Sequence, residues 1–330
     1  MAKNAEVVVI TGGSAGVGRA TVQRFGREGA HIGLLARGVD GLQAARAEVE
    51  ASGGKALVLP TDVADADQVE AAARQVEEAF GPIDIWVNDA MTTIFSPFLE
   101  ITPAEFKRAT EVTYLGFVWG TMSALRRMIP RNYGTIVQVG SALAYRSIPL
   151  QSPYCGAKAA IRGFTDSIRT ELDHNNSKVH ITMVQMPALN TPQFNWCKTN
   201  LPRHPQPVPP IFQPEVAAEA IYYAAHHRRR EIYVGASTNV AIYGNTLAPW
   251  LADRYLGKTG YDSQQTDEPV APDRPSNLWE PLPGDHGAHG IFGARASNCS
   301  KQLWADTHRG LLAGIAVGVG VLAGVACRRR

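Results

Sequence analysis

The chain has 330 residues, 45% of them apolar and 19% charged, enough for a large buried core with less charge than the roughly 25% of an average domain. A formal net charge of +2 gives no electrostatic case for a nucleic-acid partner. Four cysteines, Cys155, Cys197, Cys299 and Cys327, show no CxxC spacing, which argues against a disulfide scaffold or a zinc ribbon and fits free thiols in a reducing compartment.

In chain order, the N-terminal "EVVVI" is too short and too soon followed by glycine to be a signal peptide, and reads as a first strand. "HIGLLA", "KALVLP", "IDIWVN", "GTIVQVG", "VHITMVQ" and "EIYVG" are further strands. Segments such as "GLQAARAEVEAS" and "DADQVEAAARQVEEAF" between them repeat apolar residues at helical spacing. This alternation predicts an α/β fold, a doubly wound parallel sheet covered by helices on both faces, over residues 1–240. Ligands of such a sheet sit beyond the carboxyl ends of its strands. Residues 187–214 interrupt the rhythm with prolines and with Phe194, Trp196 and Phe212, which is the composition of a lid over a site. Residues 241–308 show no strand alternation and read as an irregular extension. Residues 309–330 form an apolar tail, in which 311–326 lacks any polar side chain and is closed by Arg328, Arg329 and Arg330. That stretch is predicted to be a helix contacting or spanning a membrane, with Gly314, Gly318, Gly320 and Gly324 at small-xxx-small spacing. The expected location is therefore a cytoplasmic catalytic domain tied to a membrane by its tail.

Two stretches carry chemistry. "VVVITGGSAGVGRA" puts Gly12, Gly16 and Gly18 where the first strand turns into the first helix. Glycines there let the backbone approach a pyrophosphate, which the positive helix end attracts. At the end of the second strand stand Ala36 and Arg37, where a site for NAD would carry an acid for the ribose 2′-hydroxyl. An arginine suits a 2′-phosphate, so Arg37, with Arg19 as a second cation, predicts NADP(H). Further on, Tyr154 and Lys158 occupy i and i+4 of a predicted helix, and Ser141 ends the strand before it. An ammonium beside a phenol is expected to lower its pKa from about 10 and suit it to proton transfer near neutral pH.

With these positions in order, "TGGSAGVG", Asp62 in "TDV", "VNDA", Ser141, "YCGAK" and "PALNTP", the chain resembles the short-chain dehydrogenase/reductase family over about residues 6–235. Its TGxxxGxG spacing matches the single-domain members. The resemblance implies that Tyr154 exchanges a proton with the substrate oxygen while a hydride passes to or from the nicotinamide. It implies too that Ser141 polarises that oxygen and that Lys158 holds the nicotinamide ribose and tunes the tyrosine. The cofactor-binding set it implies is Gly12, Ser14, Gly16, Val17, Gly18, Arg37, Asp62, Val63, Asn88, Ala90, Lys158, Pro187 and Thr191. Pairing through the tyrosine helix into a homodimer or homotetramer is implied as well.

The chain departs from the family pattern in three places. Thr113 in "TYLG" stands where an asparagine often holds a relay water; its hydroxyl can bind a water but lacks the amide's second pole. "NNAG" is Asn88, Asp89, Ala90 and Met91, and the usual proline–glycine pair is Pro187–Ala188. Leu143, Ala144, Tyr145, Met186, Phe194 and Trp196 would line an apolar substrate pocket, favouring a lipophilic carbonyl or alcohol. His286 and His289 beside Asp285 make a poor metal motif, so no metal site is expected. "HHRRR" at 226–230 reads as a helix end capped by charge, and Cys155 as a packing residue. The rival from another class is a non-catalytic NADP-binding sensor or scaffold, with Thr113 as the mark of lost turnover. An epimerase is disfavoured by the glycine spacing.

Overall fold

The computed structural model describes residues 5–271, 273–312 and 314. Among the described residues there are fourteen strands: β1 Val7–Thr11, β2 His31–Ala36, β3 Lys55–Pro60, β4 Ile85–Asn88, β5 Ile94–Phe95, β6 Thr135–Ser141, β7 His180–Met186, β8 Ala188–Leu189, β9 Lys198–Thr199, β10 Arg203–Pro205, β11 Ile211–Phe212, β12 Glu231–Tyr233, β13 Gln265–Pro269 and β14 Ala296–Ser297. Seven of them form one parallel sheet in the order β12-β7-β6-β4-β1-β2-β3, and these are the seven strands expected from the sequence. Strand order reverses between β1 and β4, so a crevice opens at their carboxyl ends.

The alternation of residues along β1 shows how the layers form. Val8 and Ile10 point to one face, where they meet Ile32 and Leu34 and helices α1 (Gly16–Gly26), α2 (Val39–Ala51) and α8 (Pro214–His226). Val7 and Val9 point to the other, packed with α3 (Ala66–Phe80), α5 (Gly116–Arg131) and α6 (Ser152–His174). A strand buried on both faces needs apolar residues at every position, and the five residues of β1 are all buried. Burying each large aliphatic or aromatic side chain contributes about 1.5–3 kcal/mol. Helix α4 (Pro103–Thr110) starts on a capping box between Thr102 and Glu105, then runs through a π-turn at Glu111–Leu115 into α5.

The extension is more regular than its composition predicts. Helices α9 (Ala236–Leu247) and α10 (Pro249–Thr259) follow β12, so α9 crosses the boundary expected at 240. Beyond them, β13 pairs antiparallel with β10, and β14 pairs parallel with β11, which itself pairs with β8. These strands of two to five residues are too short to show a period, and their partners lie in the 188–212 segment. The extension is thus knitted onto the lid candidate, which also carries α7 (Gln193–Trp196). Helix α11 (Lys301–Thr307) docks through buried Leu303 and an Arg229–Asp306 ion pair of 3.1 Å. Among the described residues no helix is long and apolar enough to cross a membrane. The membrane helix expected over 311–326 lies outside the described residues, apart from 311, 312 and 314.

Asn88 has a different place from the cofactor contact expected of it. Its Oδ1 accepts the indole N–H of fully buried Trp86 at 2.8 Å, and its Nδ2 donates to Gln138 at 2.9 Å and Thr121 at 3.1 Å. All of its polar atoms are used tying β4 to β6 and α5. Asn88→Ala leaves buried donors and acceptors unpaired and should cost about 1–3 kcal/mol, read as a lower urea midpoint. An unchanged midpoint would show that the network does not support the sheet.

Candidate active site

At the carboxyl end of β1 the chain turns at Gly12, whose φ of +76° and surroundings both demand glycine: a Cβ would sit 2.9 Å from the Cα of Ala90. Gly18 is as constrained, since a Cβ there would lie 2.2 Å from the carbonyl oxygen of Gly12. Gly18 therefore packs α1 against the turn and does not line the cleft. Thr11 completes the junction, its hydroxyl accepting the N–H groups of Asp89 at 3.0 Å and Ala90 at 3.1 Å. The crevice that results has a volume of about 450 Å³. It is lined by Gly12, Ser14, Gly16, Val17, Arg37, Asp62, Val63, Ala90, Ser141, Tyr154, Lys158, Pro187 and Thr191. Of the catalytic and cofactor-binding residues that the resemblance implies, Gly18 and Asn88 stand outside its lining.

Ser141 ends β6 and Tyr154 and Lys158 lie in the first two turns of α6, so strand and helix bring the three to one wall. Lys158 is 2% exposed; its Nζ donates to the carbonyl of Val139 at 2.6 Å and lies 5.5 Å from the centre of the Tyr154 ring. Burial lowers its pKa to about 8, and only the charge of Asp89 pulls upward. The phenol of Tyr154 behaves differently from the expectation. Burial pushes its pKa well above the ordinary value, the Ser141 hydroxyl draws it down, and Cys155 and Asp89 raise it again. Desolvation of the phenolate outweighs any help from the ammonium.

Asp89 was read only as a departure from pattern, yet its carboxyl group lines the crevice. It accepts the N–H of Gly18, and burial raises its pKa to about 7 against the pull of Lys158. Thr113 is fully buried and its hydroxyl is spent on Thr92, donating to the carbonyl at 2.8 Å and accepting the N–H at 3.0 Å. The water-binding hydroxyl expected there is thus committed to the protein. Arg19 is corrected as well. Its guanidinium is 1% exposed and bound to Glu48 at 2.7 Å, to the carbonyls of Ser14 and Gly41, and to Asp285 at 3.1 Å. It braces the glycine turn from behind.

Arg37 does line the crevice, but its guanidinium also donates to the carbonyls of Asn277 and Trp279 in the extension. Arg108, which sequence reasoning missed, donates to Asp62 at 2.6 Å and to the carbonyl of Leu278 at 3.1 Å. The 170-residue separation of Arg108 from Leu278 left no local signal for it. Of the apolar candidates, Leu143, Met186, Phe194 and Trp196 line the crevice. The Tyr145 hydroxyl turns away to Glu231 at 2.6 Å. The described residues contain no cluster of three metal-ligating side chains.

A doubly wound sheet with a glycine turn at its switch point and a Ser–Tyr–Lys wall beside it is the architecture of a dinucleotide-dependent oxidoreductase. Residues 6–200 match a family model described as short chain dehydrogenase, and the chain belongs to this family. It is 32% identical to the uncharacterized oxidoreductase YxnA of Bacillus subtilis over 283 residues, 85% of this chain and 80% of that protein. It is 30% identical to the fatty acyl-CoA reductase of Acinetobacter baylyi, over 69% of this chain and 75% of the relative. Among solved structures, the alcohol dehydrogenase of the archaeon Thermococcus sibiricus complexed with 5-hydroxy-NADP superposes with a TM-score of 0.60. The two are 27% identical, covering 69% of this chain and 95% of that one.

The Asp89 ionisation carries a sign. Asp89 holds its proton more tightly folded than unfolded, so its contribution to stability is present below its ordinary value of 3.8 and is lost as pH rises through about 7. Urea unfolding from about pH 5 to about pH 7 should show wild type losing stability relative to Asp89→Asn. Parallel curves would place the ionisation elsewhere.

Proposed function

We propose that this protein is an NADP(H)-dependent oxidoreductase acting on the carbonyl or alcohol of a lipophilic small molecule. The single observation that carries this reading is the convergence of Ser141, Tyr154 and Lys158 on one wall of the crevice opened by Gly12. The residues present fit the cofactor. Of the first three N–H groups of α1, that of Gly16 is donated to Gly287 and that of Gly18 to Asp89, and that of Val17 has no acceptor among the described residues. Val17 would hold the pyrophosphate, Asp62, Val63 and Ala90 would flank the adenosine, and Pro187 and Thr191 the carboxamide. Arg37 with no acid at the end of β2 suits a 2′-phosphate, in keeping with the NADP analogue named for the Thermococcus structure.

Bound there, NADPH would supply the hydride for reduction of a substrate carbonyl. Tyr154 then gives its phenolic proton to the carbonyl oxygen, and Ser141 donates a hydrogen bond that stabilises the charge developing on it. Lys158, sharing the buried wall with Tyr154, favours the phenolate so formed.

The substrate end supports a lipophilic ligand. Leu143, Ile148, Met186, Phe194, Val208 and Leu256 line the crevice, together with Gln151, Gln206 and Gln264. Exposed Tyr243, Trp250 and Tyr255 stand on the same two helices, α9 and α10, that close this end. The relative named for a fatty acyl-CoA substrate is consistent with it. Pairing of two chains would use the apolar groove of Val118, Met122, Leu125 and Ile129 on α5 with Phe164 and Ile168 on α6.

Two substitutions test this reading. Tyr154→Phe should lower kcat by about 10²–10⁴-fold while NADPH affinity stays within about twofold. Retained turnover would remove Tyr154 from the chemistry, and absence of turnover in wild type across long-chain ketones and aldehydes would favour the sensor or scaffold. Arg37→Ser should weaken NADPH binding by roughly tenfold or more and leave NADH binding nearly unchanged. Equal losses for both nucleotides would contradict a 2′-phosphate contact.

A further inference from the structure

We propose that residues 281–287 of the extension are a clasp over the adenosine and pyrophosphate half of the nucleotide crevice, so that the dinucleotide is held beneath them and leaves when they lift. The proposal rests on the cofactor reading above. It concerns a part of the chain beyond the matched family region, which ends at residue 200.

The segment bridges the crevice. Pro281, Leu282, Gly284 and His286 line the same cavity as Ser14, Arg37 and Asp62, and a Cβ at Gly38, beside Arg37, would lie 3.6 Å from Pro281. Both of its ends are fixed in the protein. On one side Leu278 is 1% exposed in a cluster with Ile94 and Ala109, and the carbonyls of Asn277, Leu278 and Trp279 are held by Arg37 and Arg108. On the other, Ala288 is packed with Ala20 and Ala218, and Phe292 N–H donates to Asn190 at 2.9 Å. Between these ends the attachments are few and polar. The N–H of Gly284 donates to Asp40 at 2.7 Å, Asp285 accepts from Arg19 at 3.1 Å, and the carbonyl of Gly287 accepts the N–H of Gly16 at 3.0 Å. Gly284 and Gly287 have φ of +89° and +60°, giving the segment backbone freedom at two points. His286 reaches Trp196 of the lid with ring centres 4.6 Å apart, so clasp and lid meet over the cleft.

A short span between two buried anchors, with glycine pivots and three polar catches, is built to open locally while the fold persists. One catch, Gly287 on Gly16, grips the turn that holds the pyrophosphate. The segment would thus set how fast nucleotide exchanges more than how tightly it binds, because its opening precedes both entry and exit.

Two of the catches are side chains outside the crevice lining, Asp40 at the start of α2 and Asp285. The test is NADPH dissociation from full-length protein, followed by nucleotide fluorescence after mixing with excess NADP⁺. Asp40→Ala/Asp285→Ala should release NADPH faster by on the order of tenfold, with association accelerated as well and Kd changed less than either rate. Asp40→Ala alone, at an exposed helix start, should give a smaller change of the same sign and guards against misfolding of the double variant. Unchanged dissociation with intact binding would overturn the clasp alone. Tighter binding with unchanged dissociation would make the segment a competitor of the nucleotide and overturn it too. If wild type bound no NADPH, both the clasp and the cofactor reading would fall.

Discussion

The backbone of Gly12 passes against that of Ala90 where β1 and β4 part, and this close approach underlies the rest of the structure. A single methyl group at Gly12 would meet the Ala90 Cα at 2.9 Å. Because the two strands come this near, one hydroxyl, that of Thr11, can satisfy both N–H groups of the turn after β4. Gly18 must then accept the carbonyl of Gly12 almost in contact, which seats α1 at the mouth of the crevice. Arg19, buried beneath, ties the turn to α2 through Glu48 and Gly41. The crevice is a consequence of this junction, and the proposed chemistry occupies one of its walls.

Burial governs the titrating groups on that wall. It lowers Lys158, raises Asp89 and raises Tyr154, each by penalising the charged form. Asp89 and Lys158 make no direct ion pair among the described contacts, but each moderates the other's shift. In the proposed reaction this holds the proton on Tyr154 until a substrate oxygen accepts it. The family's usual asparagine would have added a polar amide nearby. Here Thr113 is closed into a two-way hydrogen bond with Thr92, so a relay through that position has no free hydroxyl.

The parallel sheet was legible because its strands are continuous apolar runs with helical periods between them. Residues close in sequence, or set by one strand–turn–helix unit, were legible for the same reason: Gly12, Gly16, Arg37, Tyr154 and Lys158 all reach the crevice. What could not be read depends on distant partners. Asn88 looked like a cofactor contact, but Trp86, Gln138 and Thr121 absorb its polar atoms. Arg19 looked like a free cation and is enclosed by Glu48 and Asp285. The extension looked irregular because its strands are two to five residues long and its helices α9 and α10 turn Val240, Leu247 and Trp250 outward, with Leu247 85% exposed. Burial of a core face, the signal from which helices are read, is weak in such elements.

The proposed reaction is tested most directly by following the hydride itself. NADPH deuterated on the transferred face of nicotinamide C4 would be incubated with the full-length protein and a long-chain ketone, and the alcohol analysed by mass spectrometry. One deuterium bound to the carbinol carbon, and none in the product when unlabelled NADPH is used, is the predicted result. An alcohol formed without deuterium, or no alcohol from any lipophilic carbonyl while NADPH remains bound, would contradict hydride transfer at the Ser141–Tyr154–Lys158 wall.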